Sequence, residues 1–196
     1  EILKIGGRKM LSASCWWDPS FAAGKKGDNS VIACVFADED GKYWLHDLEY
    51  IRVPVENADN AASLQCQKVA DFLVRNHLPS VRVEVNGIGR FLPGILKQVL
   101  HGRRIRAAVL EAYSKENKQQ RILEAFDVLL AERALHVSRK IWTTPFIEEM
   151  REWCVDGAAH DDALDAVAGC LASEPVRIGA FRSDGVPLAK AGWQGA

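Results

Sequence analysis

The sequence predicts a mixed α/β domain: a five-stranded sheet in spatial order 3-2-1-4-5, strand 2 antiparallel, with helices on both faces. Three observations carry this. Three extended runs follow one another through short connections at 11–17, 30–37 and 42–52. Helical and extended patterns then alternate up to residue 110, as crossover units do. After that the apolar period stays helical until Pro175.

Residues 1–10 read as a lead-in. The first strand, 11–17, is stopped by Pro19. Residues 30–37 are nearly continuously apolar, which suits a strand buried on both faces. Asp38-Glu-Asp-Gly41 is a hairpin turn into the more alternating third strand. The period then changes: Ala62, Cys66, Val69, Ala70 and Leu73 share one helical face. The β-branched run Val81-Arg-Val-Glu-Val85 is the fourth strand, followed by a short helix over 91–101 and a fifth strand over 104–110. A long helix is expected over 115–132, with Ile122, Phe126, Leu129 and Leu130 inward. A short extended piece at 135–138 precedes a helix over 145–154, where Pro145 suits a first turn. The last helix starts near Asp161, with Leu164, Val167, Ala168 and Leu171 inward. Residues 11–175 are thus the expected folded domain, and 176–196 a flexible tail.

A chain of 196 residues is long enough to bury a core without staples. The formal net charge of -1 excludes a globally basic nucleic-acid binder, so any polyanion partner must be met by a local patch. Five cysteines without C-x-x-C spacing read as free thiols, four of them in apolar runs or on inner helix faces. No apolar run nears the roughly 20 residues of a membrane span. The chain opens on Glu1 rather than Met, as an excised domain of something longer would.

Carboxylates recur where the chain leaves buried structure. Asp18 ends the first strand, Glu84 interrupts the fourth, and His160-Asp161-Asp162-Ala-Leu-Asp165 opens the last helix. In the order 3-2-1-4-5 the ends of strands 1 and 4 are neighbours, so Asp18 and Glu84 come together and the helix needs only to pack beside them. Converging carboxylates make an all-oxygen site for a hard divalent cation, and such a site can hold two ions for phosphoryl chemistry. Spacing does not rank the helix acids: Asp162 and Asp165 are i, i+3, while Asp161 and Asp165 are i, i+4. One of Asp161 and Asp162 is expected to be the N-cap, with Asp161 preferred. His160 reads as a helix-entry residue before a metal ligand. Asp28 is either a turn residue or a third carboxylate near the site, and Lys115 and Arg121 either face a phosphate or solvate a helix.

These phrases together resemble the C-terminal nuclease domain of the large subunit of viral DNA-packaging terminases. The residues that carry the likeness are Asp18-Pro-Ser with Gly27-Asp28-Asn-Ser-Val-Ile32, then Val83-Glu84-Val-Asn86-Gly87-Ile-Gly89. Ser114-Lys115, Arg121-Ile122 and His160-Asp-Asp-Ala-Leu-Asp-Ala166 complete them. The resemblance implies a ribonuclease H-like fold and two divalent cations, Mg2+ or Mn2+. It implies Asp18, Glu84 and Asp162 as catalytic ligands, with Asp161 or Asp165 contributing. It also implies an endonuclease that cuts double-stranded DNA during packaging, in the cytoplasm of an infected bacterial host and transiently at the procapsid portal. The partners implied are an ATPase domain of the same polypeptide, the portal protein and a small terminase subunit, with no membrane.

The rivals are a junction or hybrid nuclease on the same fold, and a non-catalytic DNA-docking module. Lys25, Lys26, Arg90, Arg103, Arg104, Lys115, Lys118, Arg139 and Lys140 are candidates for a basic rim that tracks the backbone without reading bases. Two nucleotide signatures fail. Gly24-Lys25 lacks the glycine a phosphate loop needs five residues earlier, where Pro19 stands, and Lys26 replaces its Ser/Thr. Gly87-x-Gly89 lacks the third small residue of a dinucleotide fingerprint, since Leu92 stands there.

Overall fold

The computed structural model describes residues 2–21, 29–53, 58–85, 90–113, 117–155 and 160–179. The strands are β1 (Lys4–Ile5), β2 (Arg8–Asp18), β3 (Ser30–Asp38), β4 (Tyr43–Ile51), β5 (Ser80–Glu84), β6 (Ala108–Ala112), β7 (Leu135–Val137) and β8 (Val176–Arg177). The helices are α1 (Ala58–Arg75), α2 (Leu92–Gly102), α3 (Lys118–Ala131), α4 (Phe146–Glu152) and α5 (Asp162–Ala172). A 3-10 turn covers Arg139–Thr143. The sheet runs β6-β5-β2-β3-β4-β7, with β1 and β8 also paired to β2. Its first five members are the expected 3-2-1-4-5 order read from the other edge. β3 is antiparallel to both neighbours, while β5 is parallel to β2 and β6 parallel to β5. None of the described helices is long and apolar enough to cross a membrane.

Strand alternation divides the core into two layers. Trp17, Ile32, Cys34, Phe36, Val81 and Val83 point to the face covered by α1 and α2, where Cys66, Val69, Phe72, Leu92 and Leu96 close the layer. Trp16, Val31, Ala33 and Val35 point the other way, against Ile122 and Phe126 of α3, Phe146 of α4 and Leu164 and Val167 of α5. Cys15, Cys34, Cys66 and Cys170 are buried and Cys154 is exposed, all of them free thiols.

Several boundaries differ from the sequence reading. α1, α2 and α3 end on left-handed residues that are not glycine: His77, Arg104 and Arg133. In each case the next amide, of Leu78, Ile105 or Ala134, donates to the carbonyl five residues back. That is the Schellman closure, but without the glycine that signals it in a sequence. Residues 103–105 are consequently a helix terminus, and β6 starts only at Ala108. Asn117 caps α3 through Gln119 N at 2.9 Å, so the helix begins at Lys118. Leu130, expected inside, is 48% exposed, and Arg121 takes an inner place at 7%. β2 begins within the stretch read as a lead-in, and β8 pairs with Ser12 and Ala13 from within the stretch read as a tail.

α5 lies unusually close to β2. A Cβ on Gly169 would overlap the Trp16 indole, so only glycine permits this approach. Gly169→Ala is expected to lower stability by about 1–3 kcal/mol through overpacking. Chemical denaturation of the metal-free protein measures this, and an unchanged midpoint would refute it.

Candidate metal centre

Asp18 and Glu84 are the last residues of two adjacent parallel strands. Trp17 and Val83 are register partners turned to the α1/α2 face. The next residue on each strand therefore turns to the α3/α5 face, and both are acids. Asp165 descends on them from the first turn of α5. One carboxylate oxygen from each of Asp18, Glu84 and Asp165 lies within 4.8 Å of the other two. Glu84 and Asp165 are buried and Asp18 is half-buried.

Two cations from α3 answer this charge. The Arg121 guanidinium donates from Nε at 3.0 Å and from Nη2 at 2.5 Å to Asp165 Oδ1, and its Nη2 is 3.5 Å from Glu84 Oε2. It also lies over the Trp16 ring, 5.8 Å from the centroid, and Trp16 Nε1 donates to Glu84 Oε2 at 3.3 Å. Lys118 Nζ is 2.7 Å from Asp161 Oδ1, 3.9 Å from Asp162 Oδ1 and 3.8 Å from Asp165 Oδ2.

The neutralisation is incomplete. Burial pushes the Asp18 carboxyl up to about 8, and the charges of Glu84 and Asp165 push the same way. Burial also raises Glu84 and Asp165, with Arg121 opposing it in both. Burial pulls Lys118 and Arg121 down, but their bonds to the acids outweigh it and hold both above their usual values. Three clustered carboxylates, with Asp162 close by, face only Arg121 and Lys118 among the described residues, which leaves the cluster short of positive charge.

The start of α5 is built from outside the helix. Asp161 occupies the N-cap position, but its side chain makes no capping bond and goes to Lys118. Glu149 of α4 makes that bond instead: its Oε2 accepts from Ala163 N at 2.9 Å and Leu164 N at 3.2 Å. Asp162, 4% exposed, accepts from Asn29 N at 2.8 Å and Asn29 Nδ2 at 3.0 Å. Its charge still reaches Asp18.

Of the other expected site residues, Lys25, Lys26, Asp28 and Lys115 lie outside the described residues. His160 is exposed and is not part of the carboxylate group. Arg90 is exposed just ahead of α2, at the same sheet end as the acids. Arg103 and Arg104 follow α2 at the opposite end, where β6 begins, and Arg103 is paired with Asp71 at 2.7 Å. Arg139 is exposed beside β7, and Lys140 is paired with Asp47 at 3.2 Å. Sequence reasoning missed Trp16, Asn29, Tyr50, Glu149 and Gly169. A glycine inside an apolar helix was the one available signal.

The donor set fits a hard divalent cation: oxygens only, carboxylates only, closely spaced and under-neutralised. An ordered sheet with acids at two strand ends, faced by a helix that brings a third, defines the class. Residues 15–174 match the family described as "Terminase RNaseH-like domain", and the chain belongs to that family. The fold is ribonuclease H-like. It is similar to the human cytomegalovirus terminase nuclease domain, with TM-score 0.61, 14% identity and 80% of each chain covered. It is also similar to the nuclease domain of the large terminase subunit of bacterial virus Sf6, with TM-score 0.55, 10% identity, and 86% of this chain and 91% of that one covered. A variant of the Sf6 domain with manganese and beta-thujaplicinol gives TM-score 0.55 at 9% identity, covering 83% and 89%. No curated protein matches the sequence.

Asp18 titrates near 8 in the fold against 3.8 as an ordinary side chain. The folded state therefore holds the extra proton between those values, and the stability it contributes is lost as pH rises through about 8. In EDTA, Asp18→Asn is expected to melt above the parent at pH 8–9, with the gap closing towards pH 4. A gap independent of pH, in thermal melts across that range, would contradict this origin.

Proposed function

We propose that this domain is a divalent-metal-dependent endonuclease that cuts double-stranded DNA during viral genome packaging. The observation that carries the reading is the convergence of Asp18, Glu84 and Asp165 within 4.8 Å on one face of the sheet. Asp18, Glu84 and Asp165 would hold one Mg2+ or Mn2+. Asp162 would contribute to the place of a second. Ions held so would activate water and stabilise the leaving oxygen of an in-line displacement.

The chain's own groups prepare that chemistry. Trp16 and Arg121 fix Glu84 and Asp165 before any ion arrives, so little side-chain ordering remains to be done. Lys118 is only partly buried and supplies positive charge where a scissile phosphate would lie. Membership of the terminase family supports DNA as substrate. It also supports an ATPase domain on the same polypeptide, the portal and the small subunit as partners, and action in the infected cell at the procapsid portal. Among the described candidates for the basic rim, Arg103 and Lys140 are paired to acids and Lys118 is turned to the carboxylates, while Arg90, Arg104 and Arg139 are exposed. Binding by this domain alone should be weak and independent of sequence, with a log–log salt slope of about -0.9 per phosphate contacted.

Asp18→Asn and Asp165→Asn are each expected to lower plasmid cleavage in Mn2+ by at least roughly 100-fold, given the several kcal/mol that metal-held charge contributes to the barrier. Asp161→Asn should cost far less, because its carboxylate goes to Lys118. Cleavage rates with Mg2+, Mn2+ and EDTA decide the matter. Activity that persists in EDTA, or an Asp18→Asn rate within tenfold of the parent, would overturn the metal reading. Preference for branched or RNA–DNA substrates over linear duplex would move the domain to the junction or hybrid nucleases.

A further inference from the structure

We infer that Glu149 and Tyr50 are positioning residues of the carboxylate centre, setting from outside α5 where Asp162 and Asp165 stand relative to Asp18. The inference rests on the metal-centre reading above and concerns residues that touch no substrate.

The N–H groups of the second and third helical residues are the ones an N-cap side chain normally takes. In α5 these belong to Ala163 and Leu164, and both go to Glu149 Oε2. The other oxygen of Glu149 accepts from Tyr50 Oη at 2.7 Å. Glu149 is 6% exposed, and among the described residues neither of its oxygens is ion-paired to a lysine or arginine. Burial raises this carboxyl, and the Tyr50 hydroxyl and the two helix-end amides oppose that rise, so every bond it makes is to a group that stabilises its charge.

The arrangement has two consequences for the site. Asp161 stands at the N-cap position yet remains free to engage Lys118. With no other acceptor for these amides, Asp161 at the N-cap would be the side chain placed to take them, at the cost of its bond to Lys118. The arrangement also ties the helix to the sheet at the level of the acids. Asp18 pairs with Val31, and Val31 pairs with Tyr50, so these residues form one row across β2, β3 and β4. The start of α5 is therefore held at Tyr50 through Glu149, and at Glu84 through Arg121 and Asp165. Losing the first tie would let the helix start turn about the second.

The test is Mn2+ binding by calorimetry, without DNA, for the parent, Glu149→Ala, Glu149→Gln and Tyr50→Phe. Each is measured at a temperature where circular dichroism shows it folded. Residues that orient metal ligands typically change affinity by roughly 10–100-fold. Glu149→Ala is expected in that range, and Tyr50→Phe to weaken binding by about threefold or more. Glu149→Gln should stay close to the parent, because its amide oxygen still accepts from both N–H groups. A merely structural role would lower the melting temperature of Glu149→Ala and leave the Mn2+ affinity of the folded protein at the parental value. That result overturns the inference. If Glu149→Ala does not fold, parental affinity in Tyr50→Phe overturns it equally. Absence of Mn2+ binding in the parent would overturn the metal-centre reading as well, whereas parental affinity in the variants leaves that reading standing.

Discussion

Mutual repulsion among buried carboxylates is the constraint around which this domain is organised. Three acids with oxygens within 4.8 Å of one another are tolerated in a folded core only if positive charge is supplied. α3 supplies it with Arg121 and Lys118, one turn apart in sequence and directed to the same cluster. This explains why an arginine replaces an aliphatic residue on the inner face of that helix. The compensation stays partial, since two cations face three clustered carboxylates with Asp162 close by. A centre neutralised completely from within would have no electrostatic reason to take up a cation. One left with several unscreened charges would be driven apart.

Trp16 is where the packing of the fold and the geometry of the site become one problem. Its indole fills the space that Gly169 leaves in α5, its Nε1 donates to Glu84, and its ring lies under Arg121. The contact lets α5 sit close enough for Asp165, one turn before Gly169, to reach the ends of β2 and β5. The acids are thus carried on two kinds of support. Asp18 and Glu84 are set by the sheet, whose register leaves little freedom. Asp162 and Asp165 are set by a helix end, and helix ends are held by their orphan amides and their packing.

The likeness to the terminase nuclease domains of cytomegalovirus and Sf6, at 14% and 10% identity, is one of fold. What such a fold supplies is a parallel pair of strand ends side by side, and a last helix crossing them. Chemistry then depends on which side chains this particular chain places there. Here they are acids on both strands and on the helix, with cations behind them on α3.

Much of this was legible in the sequence because it depends on short-range pattern. Apolar and β-branched runs in β2, β3 and β5, alternation in β4 and period 3.6 in α1 and α5 gave the elements. The short connections between the first three strands, followed by crossovers, left 3-2-1-4-5 as the simplest order. The paired strand ends then put Asp18 beside Glu84. Helix ends closed by His77, Arg104 and Arg133 were not legible, because left-handed closure without glycine leaves no compositional mark. The ranking of Asp161, Asp162 and Asp165 was open for a different reason. Spacing puts all three on the first turn, and which of them faces the site depends on who satisfies the helix amides. That acceptor is Glu149, which comes from another helix, and the depth of α5 depends on a glycine opposite a tryptophan far away in the chain. Contacts between residues distant in sequence carry no periodic signal, so only the tertiary structure could decide them.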